Sequence, residues 1–311
     1  MKQLLFSAIL VVAVFVCKAQ STKVRITGTR LVYPLFQKWV SEYGKTHAGI
    51  QFEINSSITA DSADMVIASY AINATSLKQG KGVICINKYA QLPVANSHRK
   101  DIHSLLQSGF NEGSFHDVYF SDSSQNNKQK QEHGFTVYTR EKPACATVAF
   151  ASHFGNSVNS IHGVGVKGDD QDLLTAVKLD ANGVSYNNLG FIYDVKTRKV
   201  VNDIAIIPID LNGNGTVDDS EKIYNTLDEV VSFCEKTNHA KIPIENVNVI
   251  YSKQNKNEVV IEFLKWVLNY GQVFNHEFGF LNLSETTADD QLAILLAQQP
   301  VDLDALYGKQ E

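Results

Sequence analysis

From Asp210 the chain reads Asp210-Leu211-Asn212-Gly213-Asn214-Gly215-Thr216-Val217-Asp218-Asp219-Ser220-Glu221, an oxygen-rich run whose spacing suits a hard cation. It fits the calcium-loop pattern D-x-[DN]-x-[DN]-G-x5-E at every specified position. Asp210, Asn212 and Asn214 would present side-chain oxygens, and Gly215 would allow the sharp turn. Thr216 would give a backbone carbonyl, Asp218 a direct or water-carried contact, and Glu221 two oxygens. Val217 would tie the loop to the body. Because the loop follows a strand (204–209) containing Pro208, it is expected to be a single EF-like loop holding a structural calcium weakly, with no catalytic role. The plainer reading of the same residues is an Asn-Gly-rich turn.

A second chemistry is anion capture. Gly28-Thr29-Arg30-Leu31-Val32-Tyr33-Pro34 is a strand-to-helix turn, and a helix start offers unpaired N–H groups with a partial positive charge. Arg140 ends another strand and precedes Glu141-Lys142-Pro143-Ala144-Cys145-Ala146-Thr147, which leads into a helix. An arginine fork beside a helix N-terminus is an oxyanion clamp, because bidentate hydrogen bonds add to the helix field. Pairing with Glu141 at the surface is the competing reading of Arg140.

Other chemistries find less. Gly163 to Gly168 fits G-x-G-x-x-G, but an ordinary glycine-rich strand and turn explains it better than a dinucleotide fingerprint. There is no G-x-S-x-G, phosphate-loop GKS/T or H-E-x-x-H, and the nine histidines are scattered. Cys145 has no histidine placed beside it, so a hydrolase has no nucleophile-base pair. The chain reads as a non-enzyme without an organic cofactor.

Strand and helix signals alternate, which predicts an α/β protein with parallel sheets covered by helices. Lys23 to Thr27 is a strand; Val32, Leu35, Phe36, Trp39, Val40 and Tyr43 then recur at helical spacing, with Gly44 as the stop. Strands follow at 50–54 and from Met65, separated by the polar turn Asn55-Ser56-Ser57. Further strands are expected at 82–86, 135–138, 190–193 and 247–251, with helices at 146–153, 170–177 and 259–268. Residues 121–131 are polar and read as a surface loop.

Lys2, an apolar stretch from Leu4 to Val16 and Cys17-Lys18-Ala19 read as a secretory signal over 1–19. Val16 is bulky for lipid attachment at Cys17, so release as a periplasmic or secreted protein is favoured, peripheral to a membrane at most. The remaining chain of about 290 residues is large for one core and predicts two lobes. Hydrophobic content of 44% and charged content of 20% are those of an ordinary folded protein, and a net charge of -5 speaks against nucleic acid. Cys85, Cys145 and Cys234 form no disulfide framework; Cys85 and Cys234 sit in apolar runs and read as buried small hydrophobes.

Taken together, these pieces resemble the substrate-binding proteins of phosphate ABC transporters, which have the type II periplasmic-binding-protein fold. The resemblance is carried by Gly28 to Trp39, Asn55-Ser56-Ser57, Ala63 to Ser69, Arg140 with its loop, Lys167-Gly168 to Tyr193, and Glu262 to Leu268 with Gly271-Gln272. It implies two α/β lobes joined by crossing strands, with lobe 1 in 20–88 and 247–311 and lobe 2, including the loop 210–221, in 89–246. It also implies a monomer that closes on a dehydrated tetrahedral oxyanion, phosphate or a relative, and delivers it to a permease. Carried onto this chain, the ligand-binding residues are Thr29 or Arg30, Ser56 and Ser57, Arg140, and Thr147. The chain departs from the pattern with Tyr70 in place of a proton-accepting aspartate, with Pro143-Ala144-Cys145-Ala146 in place of a glycine- and serine-rich loop, and with a shortened helix at 58–63. These departures leave open a second class, an exported calcium-stabilised interaction module that has lost solute binding.

Overall fold

The computed structural model describes residues 22–73, 75, 77–121, 134–253 and 258–297. The expected leader at 1–19 and most of the polar stretch at 121–131 lie outside the described residues. Among the described residues nine strands form one sheet, in the order β2 (Ile50–Ile54), β1 (Thr22–Gly28), β3 (Met65–Ala68), β9 (Ile244–Ser252), β4 (Lys81–Asn96), β7 (Gly183–Asn188), β5 (Thr136–Arg140), β6 (Val164–Val166), with β8 (Ile204–Ile206) paired to β4. β1 (Thr22–Gly28), β2 (Ile50–Ile54) and β3 (Met65–Ala68) run parallel in one wing. In the other wing β5 (Thr136–Arg140) runs parallel to β6 (Val164–Val166) and to β7 (Gly183–Asn188).

Between the wings stand two long antiparallel strands, β4 (Lys81–Asn96) and β9 (Ile244–Ser252). The first half of β4 pairs with β9, and its second half pairs with β7 and with β8 (Ile204–Ile206). The sheet is therefore mixed: parallel in its wings, as the alternating pattern predicts, and antiparallel where the chain crosses. A register shift between Cys85 and Asn87 breaks the crossing pair. Asn87 is fully buried there and donates from Nδ2 to Asn275 Oδ1 (3.4 Å). Such bulges turn a strand, and this one falls where β4 passes between the wings.

Each wing has its own core. Val24 and Ile26 of β1 point inward on alternate positions and meet the buried stripe Leu35, Phe36, Trp39 and Tyr43 of the helix Tyr33–Gly44. Phe263, Leu264 and Val267 of the helix Glu258–Asn269 close the same cluster. Trp39 Nε1 donates to Gly271 O (2.8 Å), pinning the first helix to the 3-10 segment Gly271–Phe278 that follows the second. The second cluster gathers Leu92, Val94, Phe110, Tyr119 and Phe150, with Phe150 stacked on Tyr186 at 3.8 Å. The helix Cys145–His153 is apolar nearly all round, which is why it lies buried, and its Ala149 joins the first cluster while Phe150 joins the second. The chain is thus a bilobal α/β protein whose lobes are joined by crossing strands. No helix among the described residues is long and apolar enough to cross a membrane.

Two sequence expectations fail locally. Residues 190–193 are not a strand: β7 ends at Asn188 and Leu189–Ile192 is a helical turn that buries Leu189 and Ile192, three positions apart, on one side. A Cβ at Gly190 would lie 2.5 Å from Phe278 O, so the turn is packed hard against the chain beyond it. Residues 58–63 are turns rather than a short helix; Thr27 Oγ1 donates to Ile58 O, and Ser62 folds back on Thr59, so local side-chain bonds replace helical ones. Cys85 and Cys234 are buried, and burial pushes both thiols up to about 12.

Candidate functional site

The carboxyl ends of β1, β2, β3, β5 and β6 converge on one cavity of about 450 Å³ between the wings. In α/β sheets that is where ligands sit, because strand ends release backbone donors and helix starts face inward. Gly28 makes the first turn possible. Its φ of 120° is open to few side chains, and a Cβ there would lie 2.0 Å from Ile67 O. The close approach of β1 to β3 brings Thr29 N–H onto Ile67 O (3.0 Å) and Thr29 Oγ1 to within 3.5 Å of Ser69 Oγ. Tyr89 of β4 donates to Ser69 O (2.7 Å), and Asn248 of β9 donates to Tyr70 O (2.8 Å). The crossing strands thereby hold the turn that carries Tyr70.

From the other wing, Arg140 ends β5 opposite Val166 of β6. Its side chain is 13% exposed, and its Nη1 is buried with no hydrogen-bond partner among the described residues. The surface pairing with Glu141 is not realised: Glu141 lies 4.0 Å from Lys167, while Arg140 Nη1 lies 3.9 Å from Asp170 Oδ1. That distance is beyond hydrogen-bond length, so the fork remains open to an acceptor. Ala144, the cap of the helix Cys145–His153, supplies no side-chain cap, and Ala144, Cys145 and Ala146 line the cavity. A helix start without a capping side chain leaves its first N–H groups for a ligand.

Of the residues expected to bind, Thr29, Arg30, Ser56 and Arg140 line this cavity together, and so does Tyr70. Ser57 and Thr147 do not. Ser57 donates its N–H to Asn55 Oδ1 (2.9 Å) and serves the turn itself. Thr147 is 2% exposed, beneath the cavity wall in the helix.

Asp169 and Asp170, which also line the cavity, were not among the expected residues. Asp169 caps the helix Asp170–Leu179 in a capping box with Asp172, a signal legible in Asp169-x-x-Asp172 before the pair Leu173-Leu174. Its Oδ1 accepts from Gln171 N–H, while its Oδ2 faces Arg30 Nη2 at 3.9 Å from the opposite lobe. Asp170 is held by Asn188 Nδ2 at 3.3 Å. Burial raises the pKa of its carboxyl, Arg140 pulls it back, and the Asp169 charge raises it further.

The oxygen-rich loop forms a separate feature of the second lobe. Asp210, fully buried, accepts from the N–H groups of Gly213, Asn214 and Gly215, and Glu221, 2% exposed, accepts from Leu211, Asn212 and Asp218. Gly215 turns with φ 87°, and Val217 N–H donates to Gln107 O (2.7 Å), which anchors the loop through the backbone. Both buried carboxylates are thus satisfied by backbone N–H groups of the loop itself, and neither pairs with a lysine or arginine among the described residues. Asp218 Oδ2 accepts from Asn212 Nδ2 and Asn214 Nδ2, and among the described residues no group of three or more His, Cys, Asp or Glu side chains could hold a metal ion.

Comparison with solved structures identifies the architecture as the type II periplasmic-binding-protein fold. An ABC-type phosphate transport receptor from Vibrio cholerae superposes with a TM-score of 0.58 at 14% identity, over 84% of this chain and 100% of that one. A candidate phosphate ABC transporter substrate-binding protein from Clostridium perfringens, solved with bound phosphate, gives 0.63 at 13% identity, over 85% and 100%. A candidate phosphate-binding protein from Planctomyces limnophilus gives 0.54 at 12% identity, over 90% and 99%. No family model matches the sequence, and no curated protein matches it.

Proposed function

We propose that the protein is an exported, non-catalytic solute receptor that captures phosphate or a related oxyanion between its lobes and delivers it, as a monomer, to an ABC-type permease. The observation that carries this reading is Arg140: a nearly buried guanidinium with an unpartnered Nη1, opening on the same cavity as the uncapped start of the helix Cys145–His153. An unpaired buried donor is costly unless a ligand meets it. The shared fold with phosphate receptors supports the same reading. Thr29, Arg30 and Ser56 would complete the cradle. Calorimetric titration with phosphate, sulfate and an organic phosphate tests it; heat of binding from one of them is expected, and silence from all three would defeat it.

The second reading, an interaction module that has lost solute binding, draws on Ala144-Cys145-Ala146, where the cradle offers no hydroxyl, and on the partly exposed Tyr70. In either case the loop Asp210 to Glu221, with Asn212, Asn214, Thr216 and Asp218, would hold a calcium ion as a structural staple.

A further inference from the structure

The cavity exceeds the size of a bare oxyanion. Arg30 of one lobe stands 3.9 Å from Asp169 of the other at the rim of a cleft that opens to solvent and holds about 450 Å³. At roughly 30 Å³ of liquid per water, that is room for on the order of fifteen waters, whereas a dehydrated tetrahedral oxyanion displaces only about two or three. Pockets of this volume take organic molecules, and Leu31, Phe191, Ile250 and the Tyr70 ring give this one an apolar wall.

Its charges are also of both signs. Arg30 and Arg140 are matched by Asp169 and Asp170, each pair standing at 3.9 Å, so neither has closed into a hydrogen-bonded bridge. Two carboxylates repel a fully ionised oxyanion. A ligand that brings its own cation satisfies them, because charge-assisted hydrogen bonds form to both ends at once. Asp169 Oδ2 is the acceptor best placed for that cation, since Oδ1 is held by its own helix and only the half-exposed Arg30 stands opposite.

Resting on the receptor reading above, we propose that the ligand is a small organic phosphate that also carries an ammonium group, an aminoalkyl phosphate. Its phosphoryl oxygens sit on Arg140 and the amides at the start of the helix Cys145–His153, its ammonium on Asp169, and its alkyl linker against the apolar wall.

The test is calorimetric titration of the full chain with 2-aminoethyl phosphate, ethyl phosphate, inorganic phosphate and sulfate, repeated on Asp169→Asn. Asparagine caps a helix as well as aspartate does, so the variant keeps its fold. The expected result is that 2-aminoethyl phosphate binds at least about tenfold tighter than ethyl phosphate or inorganic phosphate, and that Asp169→Asn weakens 2-aminoethyl phosphate enough to abolish this ratio. Ethyl or inorganic phosphate binding as tightly as the amine, or a ratio unchanged in the variant, overturns the proposal and leaves the oxyanion receptor standing. No heat from any phosphate-bearing titrant overturns both.

Discussion

Arg30 Nη2 stands 3.9 Å from Asp169 Oδ2 across the cleft, joining the turn after β1 in one lobe to the helix cap after β6 in the other. Both side chains are about half exposed, at 54% and 43%, so solvent screens the pair and its share of stability is at most about 1 kcal/mol. Its significance is positional, because it brings a cation and an anion from different lobes to the rim of one cavity.

Replacing Arg30 with Gln should therefore change stability in denaturant titration by less than about 1 kcal/mol, and should weaken oxyanion binding several-fold. A variant that unfolds early, or one that binds unchanged, would show that Arg30 serves the fold or the surface instead.

Gly28→Ala should behave oppositely. The backbone at φ 120° and the Ile67 carbonyl 2.0 Å from the added Cβ leave no relaxed arrangement, and the expected loss is at least about 1–3 kcal/mol, read as a lower midpoint in urea.

Asp170 gives a pH signature. Its folded pKa is raised above the ordinary 3.8, chiefly by burial, so the folded state holds the proton more tightly than the unfolded state. Stability from this group is present at low pH and is lost as pH rises from 3.8 through the raised value. Asp170→Asn should remove that downward component from a plot of melting temperature against pH; an identical slope in the two proteins would contradict the assignment.

The loop at Asp210 should couple folding to calcium. If it binds the ion, calcium at about 100 times its Kd stabilises by about 2.7 kcal/mol relative to chelator, and Glu221→Gln diminishes the shift. A melt that does not move between calcium and chelator would remove the staple.

The fold was legible largely because its signals are periodic. Val24 and Ile26 alternate, and Leu35, Phe36, Trp39 and Tyr43 recur at helical spacing, so the opening strand and helix can be read without tertiary context. Leu189–Ile192 misled because a short apolar run reads equally as strand or turn, and its packing against Phe278 decides the matter from some ninety residues away. In the site, Arg140 and the turn at Gly28 could be read from strand-to-helix junctions. Asp169 and Asp170 could be read as a helix cap, but their arrival opposite Arg30 and Arg140 depends on how the two lobes meet, which no local spacing encodes. Thr147 is hard to place for the same reason: its helix is buried on nearly every side, so the sequence does not say which face meets the cavity, and its Oγ1 is buried without a hydrogen-bond partner among the described residues.

Whether Arg140 is held open for an oxyanion is decided by titration calorimetry of the wild-type chain beside Arg140→Ala. Expected are 1:1 binding of a phosphate-bearing ligand by the wild type and a loss of at least about 30-fold in the variant, the effect of removing a buried charged donor worth about 2 kcal/mol or more. Equal affinity in the two proteins would contradict it.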